Sequence, residues 1–196
     1  MVIESNFEHY IELLKEGNKR YVLSTQTKKD FKETRKKLLK GQQPWATIVS
    51  CSDSRVVPEY IFDANLGELF IIRTAGNIVE DKTVLGSVEY GCEHLHTPIL
   101  MILSHQNCGA VCATCQSKGK EDSANRSNVK YIIKAISMSA RKVDYDVDKT
   151  IIENAKDVKK KILENSKIIA NLVNENKLKI VVGYYSLESG EVKFFE

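Results

Sequence analysis

A cysteine, an aspartate and an arginine lie close together in the segment from Cys51 to Arg55, whose sequence is CSDSR. Together with Ser50, the segment directly follows the apolar run Thr47 to Val49, which favours a β-strand. A carboxylate and a guanidinium beside a thiol are poor material for a hydrophobic core. Thiolates bind metals, and carboxylates accept protons and hydrogen bonds. The segment therefore predicts a chemical site at the end of a strand.

A second reactive group, His105 and Cys108, follows the apolar run Ile99 to Leu103. In open parallel sheets, ligand sites lie outside the carboxyl ends of the strands, where the strand order reverses. Cys51, His105 and Cys108 can therefore meet in space. Two thiolates and one imidazole suit zinc, and three protein ligands leave a fourth position open for water or substrate. An open position is typical of a catalytic zinc site.

A competing arrangement uses ligands from one short segment, namely His105, Cys108, Cys112 and Cys115. The last two form a C-x2-C pair, so this set could make a closed structural zinc site or a redox dithiol. Against this, the segment lacks the longer spacer that lets two ligand pairs wrap a metal, and it leaves Cys51 to Arg55 unexplained. The residues after Cys108 favour a helix start, which predicts that Cys112 and Cys115 pack inside a helix.

Asp53 and Arg55 are two residues apart and are expected to point to the same side of the chain. Arg55 can then hold the Asp53 carboxylate by a bidentate hydrogen bond. A surface ion pair of this kind contributes little to stability. Next to a metal ligand, however, Arg55 would keep Asp53 ionised, and Asp53 could accept a proton or a hydrogen bond from zinc-bound water.

Four short apolar runs predict the strands that carry these residues. None alternates cleanly with polar residues, which is the pattern of strands buried on both faces in a parallel sheet. The runs are Thr47 to Val49, Leu69 to Ile72, Ile99 to Leu103, and Ile180 to Val182. The end of the chain adds a turn at Ser189-Gly190 and a final strand, which can only be antiparallel to its predecessor.

Helices are predicted from amphipathic periodicity and from capping residues. The first begins at the capping box Ser5-Asn6-Phe7-Glu8. The others cover Asp30 to Leu39, Thr83 to His96, Val129 to Ala140 and Asp148 to Asn174, with a polar loop over Ser117 to Asn128. Within the third helix, Cys92 is predicted to be a packing residue, and His94 and His96 to lie at the surface.

Composition predicts a single globular domain, and the order of the predicted strands and helices assigns that domain to the α/β class. The 196 residues are 42% hydrophobic and 28% charged, enough for one sizeable core. A net charge of +3 gives no indication of a nucleic-acid or membrane partner, and lysines such as Lys28, Lys29 and Lys159 to Lys161 are expected to be exposed. No signal sequence or membrane span is predicted, so a cytoplasmic location and reduced cysteines are expected.

The motif pair CSDSR, at Cys51 to Arg55, and HQNC, at His105 to Cys108, resembles the β-class carbonic anhydrases. The similarity extends over Lys40 to Val111. It implies reversible hydration of CO2 to bicarbonate and a proton by zinc-bound hydroxide. It also implies one Zn²⁺ per chain on Cys51, His105 and Cys108, with Asp53 and Arg55 as a catalytic pair.

The same resemblance implies a substrate pocket. Gln42 would donate a hydrogen bond to the substrate, Phe70 and Tyr90 would line an apolar CO2 pocket, and the Gly109 amide would lie beside it. Because Gln42 is present, the chain resembles the plant-type subclass. Two residues depart from the family pattern: Ser104 stands where Gly is common, and Thr74 where Asn is common.

The fold implied is a single domain over residues 1–196, with an N-terminal helical arm at 1–40 and an α/β core at 41–196. Its sheet has four parallel strands and an antiparallel edge strand, and its N-terminal helices embrace a partner in a homodimer or homotetramer. Gln42 precedes the first strand, about 20 to 30 Å from its carboxyl end, so we predict that it serves the zinc of a partner subunit. Two alternatives stay open. One is hydrolysis of CS2 or COS on the same scaffold, and the other is a zinc-stabilised or thiol-redox binding module built on Cys108, Cys112 and Cys115.

Overall fold

The computed structural model describes residues 7–120 and 127–195, in which a five-stranded mixed sheet forms the centre of the fold. The strands are β1 (Ala46–Cys51), β2 (Leu69–Thr74), β3 (Ile99–His105), β4 (Lys179–Tyr185) and β5 (Val192–Phe195). Their spatial order is β2-β1-β3-β4-β5. The first four strands are parallel and β5 is antiparallel to β4, which confirms the predicted α/β class and mixed sheet.

The strand order creates a topological switch point between β1 and β3. The chain leaves β1 towards β2 on one side of the sheet and leaves β3 towards β4 on the other side. A crevice therefore opens at the carboxyl ends of β1 and β3, where such folds bind ligands. Both strands are buried along their whole length, as predicted. The prediction is wrong for β2, because an edge strand has one open side and leaves Arg73 exposed.

Eight helices surround the sheet in the described residues. They are α1 (Phe7–Val22), α2 (Phe31–Lys37), α3 (Pro58–Ile61), α4 (Lys82–Glu89), α5 (Gly109–Gln116), α6 (Val129–Lys142), α7 (Val147–Asn165) and α8 (Lys167–Asn174). The Asp30 side chain caps α2 and the Asp146 side chain caps α7, because each accepts a hydrogen bond from a first-turn amide. Ser5 and Asn6 of the predicted capping box, and residues 121–126 of the predicted loop, lie outside the described residues.

Two predicted helices differ from the structure in continuity. The helix predicted from Asp148 to Asn174 is two helices, because Ser166 has extended backbone angles and its side chain caps α8 by accepting from the Ile169 amide. The helix predicted to end at His96 is α-helical only to Glu89 and continues as a π-helical turn over Tyr90–His94. Hydrophobic periodicity continues across both breaks, so it does not reveal them.

The N-terminal helices are attached to the core through Asp63. This side chain is only 2% exposed and forms ion pairs with Arg20 of α1, at 2.6 Å, and with Lys29 in the segment before α2. The expectation that Lys29 is solvated is therefore wrong, because its ammonium contacts a buried carboxylate. Leu14 and Ile11 of α1 are buried against the sheet. None of the residues Phe31–Lys37 of α2 is buried.

No helix in the described ranges is both long and apolar enough to cross a membrane.

Candidate metal centre and active site

Three ligand side chains converge at the switch point. Cys51 is the last residue of β1, His105 is the last residue of β3, and Cys108 is the residue immediately before α5. All three are buried, and their Sγ and ring nitrogen atoms lie within 4.8 Å of one another. Within residues 7–120 and 127–195, they form the one such group of His, Cys, Asp and Glu side chains. The predicted meeting of the two strand ends is thus observed, and Cys112 and Cys115 are outside it.

His105 is oriented for metal binding through Nε2. Its Nδ1 lies 2.9 Å from the carbonyl oxygen of Gln106. A carbonyl only accepts hydrogen bonds, so Nδ1 carries the proton and Nε2 keeps its lone pair. Nε2 is buried and has no hydrogen-bond partner among the described residues. A buried acceptor aimed at two thiols fits a metal ion, and the Nδ1 hydrogen bond is the usual support for a histidine ligand.

The two thiols also fit a dication. Cys51 Sγ lies 4.0 Å from Cys108 Sγ. The hydrogen bond with Cys108 lowers the pKa of Cys51, and burial opposes this effect. The same contact and burial raise the pKa of Cys108, because a second thiolate would lie beside the first. A divalent cation removes that repulsion and allows both sulfurs to ionise. Two thiolates and one imidazole match the ligands that zinc prefers.

Asp53 and Arg55 form the predicted bidentate pair beside this group. Arg55 Nε donates to Asp53 Oδ1 at 2.9 Å, and Arg55 Nη2 donates to Oδ2 at 2.7 Å. These hydrogen bonds hold the pKa of Asp53 well below its usual range, although burial opposes them. Asp53 Oδ2 is 3.9 Å from His105 Nε2. An ionised carboxylate therefore faces the ligand group, with both of its oxygens already held by Arg55.

Arg73 and Gly76 support the centre through backbone contacts that the sequence interpretation missed. Arg73 Nε donates to the carbonyl oxygen of Cys51 at 3.1 Å, and Nη2 donates to that of Asp53 at 2.7 Å. The Gly76 amide donates to Cys51 Sγ at 3.3 Å. An arginine near the carboxyl end of an edge strand was the available signal for the first of these. The sequence contained no signal for the Gly76 contact, because that contact depends on the path of the chain.

The predicted substrate residues divide into two groups. Gly109 follows Cys108 directly, and a Cβ atom on it would meet nothing within 4 Å, so the space beside it is open. Gln42 is exposed and precedes β1, and Phe70 is paired in register with Thr47 at the amino end of that strand. The ring of Tyr90 lies near that of Phe70 in a tilted arrangement, with ring centroids 5.9 Å apart. The structure does not bring Gln42, Phe70 and Tyr90 to the metal group of their own chain, which consists of Cys51, His105 and Cys108.

The structure agrees with the packing predicted for Cys92 and Cys115 and with the surface positions predicted for His94 and His96. Cys92 is buried in the core, and His94 and His96 are exposed. Cys115 is buried, with its Sγ 3.5 Å from Thr150 Oγ1, and Cys112 is half-buried. All five cysteines are free thiols.

The two departures from the family pattern are accommodated by local hydrogen bonds. Ser104 Oγ donates to the carbonyl oxygen of Gly183 at 2.9 Å. Thr74 Oγ1 donates to the carbonyl oxygen of Ile78 at 2.7 Å. Neither residue removes a ligand from the metal group.

Solved structures with the same fold are β-class carbonic anhydrases. The β-carbonic anhydrase CcaA superimposes with a TM-score of 0.72 at 22% identity, covering 98% of this chain and 96% of that one. A β-carbonic anhydrase from Sordaria macrospora gives a TM-score of 0.71 at 20% identity, with 97% and 98% of the two chains covered. A family model described as carbonic anhydrase matches residues 46–192. The chain therefore belongs to the carbonic anhydrase family, as the motif pair predicted.

Curated proteins with similar sequences are also named carbonic anhydrases. Carbonic anhydrase 2 of Mycobacterium tuberculosis is 46% identical over 99 residues, which are 50% of this chain and 47% of that protein. A carbonic anhydrase of Mycolicibacterium smegmatis is 43% identical over 102 residues, or 52% and 49% of the two chains. The chain thus spans about half the length of the curated relatives it matches.

Proposed function

We propose that this protein is a zinc-dependent carbonic anhydrase that catalyses the reversible hydration of CO2 to bicarbonate and a proton. The observation that carries the proposal is the buried group of Cys51, His105 and Cys108, whose donor atoms lie within 4.8 Å of one another. The Asp53–Arg55 pair beside this group supports the proposal. Membership of the carbonic anhydrase family supports it further.

Cys51, His105 and Cys108 would hold one zinc ion per chain. When bound, zinc supplies Lewis acidity, which makes hydroxide available from water near neutral pH. The residues around it have distinct tasks. His105 is held in one tautomer by the carbonyl oxygen of Gln106. Asp53, kept anionic by Arg55, accepts a hydrogen bond or a proton from the reacting water and so orients it.

Gln42, Phe70 and Tyr90 are assigned to the substrate pocket of a neighbouring subunit. Gln42 precedes β1, whose six residues span about 20 Å at roughly 3.3 Å per residue, so it does not reach its own metal group. A two-fold partner can bring these residues to the zinc site, where two aromatic rings suit a small apolar substrate. Because Gln42 is present, we place the protein in the plant-type subclass.

A homodimer or a dimer of dimers is part of the same proposal. Large apolar side chains are exposed on and around the N-terminal helices, which suits a subunit interface. They include Leu23, Phe31, Leu39, Tyr60 and Leu66. The Sordaria macrospora structure with the same fold is that of a tetrameric β-carbonic anhydrase. The five free thiols favour a reducing compartment, so we place the activity in the cytoplasm.

The experiment is a comparison of zinc content and hydration rate in wild type, Cys51→Ser and Cys112→Ser. Cys51→Ser should lose zinc and activity together, because it removes one of three ligands. Cys112→Ser, the control from the same C-x2-C pair, should keep both. If Cys112→Ser loses zinc and Cys51→Ser keeps it, the closed site or thiol module is correct instead. Parallel assays with COS and CS2 decide the substrate, since faster hydrolysis of either would replace CO2 in the proposal.

A further inference from the structure

Asn154 is a buried polar residue on the inner face of α7, far in sequence from the metal ligands. It is only 2% exposed. Its Nδ2 donates a hydrogen bond to the carbonyl oxygen of Gly76 at 3.0 Å. The amide nitrogen of the same glycine donates to Cys51 Sγ at 3.3 Å. Two hydrogen bonds therefore connect α7, through one residue, to a sulfur of the metal group.

Gly76 benefits from hydrogen bonds with residues outside its own turn, because it is a glycine and has an unusual backbone conformation. Its φ of +72° lies in the left-handed region that favours glycine. A Cβ atom there would lie 2.8 Å from Ile136 Cδ1 and 3.1 Å from Ala110 Cβ, so a side chain would crowd both neighbours in addition to straining the backbone. Glycine has the greatest backbone freedom of any residue, and the turn Ala75–Asn77 that contains it is short. Contacts from outside the turn can therefore help to set the direction of its N–H group.

The surroundings of Asn154 indicate that the amide has a specific task. The neighbouring buried positions of α7 are mostly apolar, namely Ile151, Ala155, Val158 and Ile162. A buried amide at such a position costs free energy unless it is hydrogen-bonded, and an aliphatic residue would fill the space without that cost. The hydrogen bond to Gly76 is the contact that makes an amide useful at this position.

We propose that Asn154 is a positioning residue for the metal centre, which holds Gly76 so that its N–H group stays directed at the Cys51 sulfur. A thiolate that accepts an N–H hydrogen bond donates less charge to its metal, so this contact would tune the metal as well as fix the ligand. The inference rests on the zinc site proposed above. It does not depend on the reaction, because it concerns the ligand and not the substrate.

The test uses two variants and one matched control. Asn154→Leu keeps a similar volume and removes the donor, and Asn154→Asp keeps the shape and replaces the Nδ2 donor by an oxygen. The control is Asn18→Leu, since Asn18 is also buried and its Nδ2 also donates to a backbone carbonyl, that of Gly190 at 2.8 Å. Asn18 belongs to α1 and is not part of the metal centre.

Three readouts distinguish positioning from a general effect on stability. In the cobalt-loaded protein, both Asn154 variants should shift the sulfur-to-cobalt charge-transfer band to longer wavelength, because the sulfur loses a hydrogen-bond donor. Zinc affinity, measured by competition with a chromophoric chelator, should fall about 10- to 100-fold. In wild type loaded with NMR-active cadmium, the Gly76 amide proton should couple to the metal through the N–H···S hydrogen bond, and both variants should lose this coupling.

The outcomes are separable. An unshifted band with unchanged zinc affinity in either Asn154 variant overturns the inference, as does an equal shift in Asn18→Leu. Absence of the cadmium coupling in wild type also overturns it. Asn154→Asp decides the question if Asn154→Leu does not fold. A wild-type protein that takes up no metal would instead refute the proposed zinc site.

Discussion

Asp53 and Arg55 act as one unit at the scale of single residues. Both carboxylate oxygens of Asp53 accept hydrogen bonds from Arg55, and Oδ2 lies 3.9 Å from His105 Nε2. Because arginine stays charged at every working pH, the carboxylate stays anionic. Asp53 is therefore a fixed acceptor beside the proposed metal ligands.

Asp53→Asn should retain about one zinc per chain and lower the hydration rate about 100-fold, because it keeps the shape of the side chain and removes its charge. Arg55→Ala should be at least as damaging, since it leaves the carboxylate without its partner. Stopped-flow hydration rates combined with metal analysis measure both effects.

Ser54→Ala is the control for this pair, because Ser54 is exposed in the same loop. It should keep the wild-type rate. If Asp53→Asn and Arg55→Ala also keep that rate, the pair is a surface ion pair without a catalytic task.

The meeting of the three proposed metal ligands could be predicted from the sequence because each lies at or just beyond the end of a recognisable strand. Cys51 and His105 end β1 and β3 in the structure. The contacts that Arg73 and Gly76 make with this site could not be predicted in the same way. These residues act on backbone atoms or through a backbone amide, and their partners depend on the register that pairs Cys51 with Thr74.

At the scale of elements, the sequence predicted where helices and strands exist better than where they are interrupted. The helical pattern from Asp148 to Asn174 continues through Ser166, although that residue ends one helix and caps the next. The burial of β2 was also overestimated. An apolar run does not show which strand lies at the edge, because that depends on the strand order of the whole sheet.

Asp63 joins two elements to the core and gives the fold a pH dependence. Burial raises its pKa, but hydrogen bonds from Lys29, Arg20 and Thr27 more than offset this and lower the pKa to about 2. A carboxyl group whose pKa is lowered on folding stabilises the folded state above its unfolded pKa of about 4. That contribution is lost as the pH falls from about 4 through about 2.

Asp63→Asn should destabilise the protein by roughly 3 kcal/mol near neutral pH, because it leaves Lys29 and Arg20 without their shared carboxylate. Urea unfolding as a function of pH measures the difference from wild type. This difference should shrink as the pH falls from about 4 to about 2, where wild-type Asp63 is itself protonated.

Asp144→Asn, at an exposed aspartate, is the control and should stay within about 0.5 kcal/mol of wild type. A difference between Asp63→Asn and wild type that does not change with pH would show that the carboxylate charge is not what attaches the N-terminal helices.

At the scale of the whole molecule, the residues that we assign to the metal site and those that we assign to the substrate pocket lie at opposite ends of the sheet. The metal group lies at the carboxyl ends of β1 and β3, and Phe70 is paired with Thr47 near the amino end of β1. The sequence predicted this separation for Gln42, which precedes the strand. For Phe70 and Tyr90 the separation depends on the register of β2 and on the π-helical turn, which the sequence did not reveal.

Mixing Cys51→Ser with Gln42→Ala under conditions of subunit exchange should restore activity. A mixed dimer contains one complete site, made of the metal group from one chain and Gln42 from the other. Random exchange should therefore recover about a quarter of the wild-type hydration rate.

Gln43→Ala is the matched control, because Gln43 is the exposed neighbour of Gln42. Per metal site, a mixture of Gln43→Ala and Cys51→Ser should hydrate CO2 no faster than Gln43→Ala alone. No recovery with Gln42→Ala, despite demonstrated exchange, would place Gln42 in its own site or outside any site.

We propose that this protein hydrates CO2 with the help of a metal held by Cys51, His105 and Cys108. The most direct measurement follows CO2 hydration by stopped flow in the purified protein, after removal of metal with a chelator, and after return of one zinc per chain. We predict a rate well above that of buffer, its loss with the metal, and its recovery with zinc. A zinc-loaded, folded protein that hydrates CO2 no faster than buffer would contradict the claim.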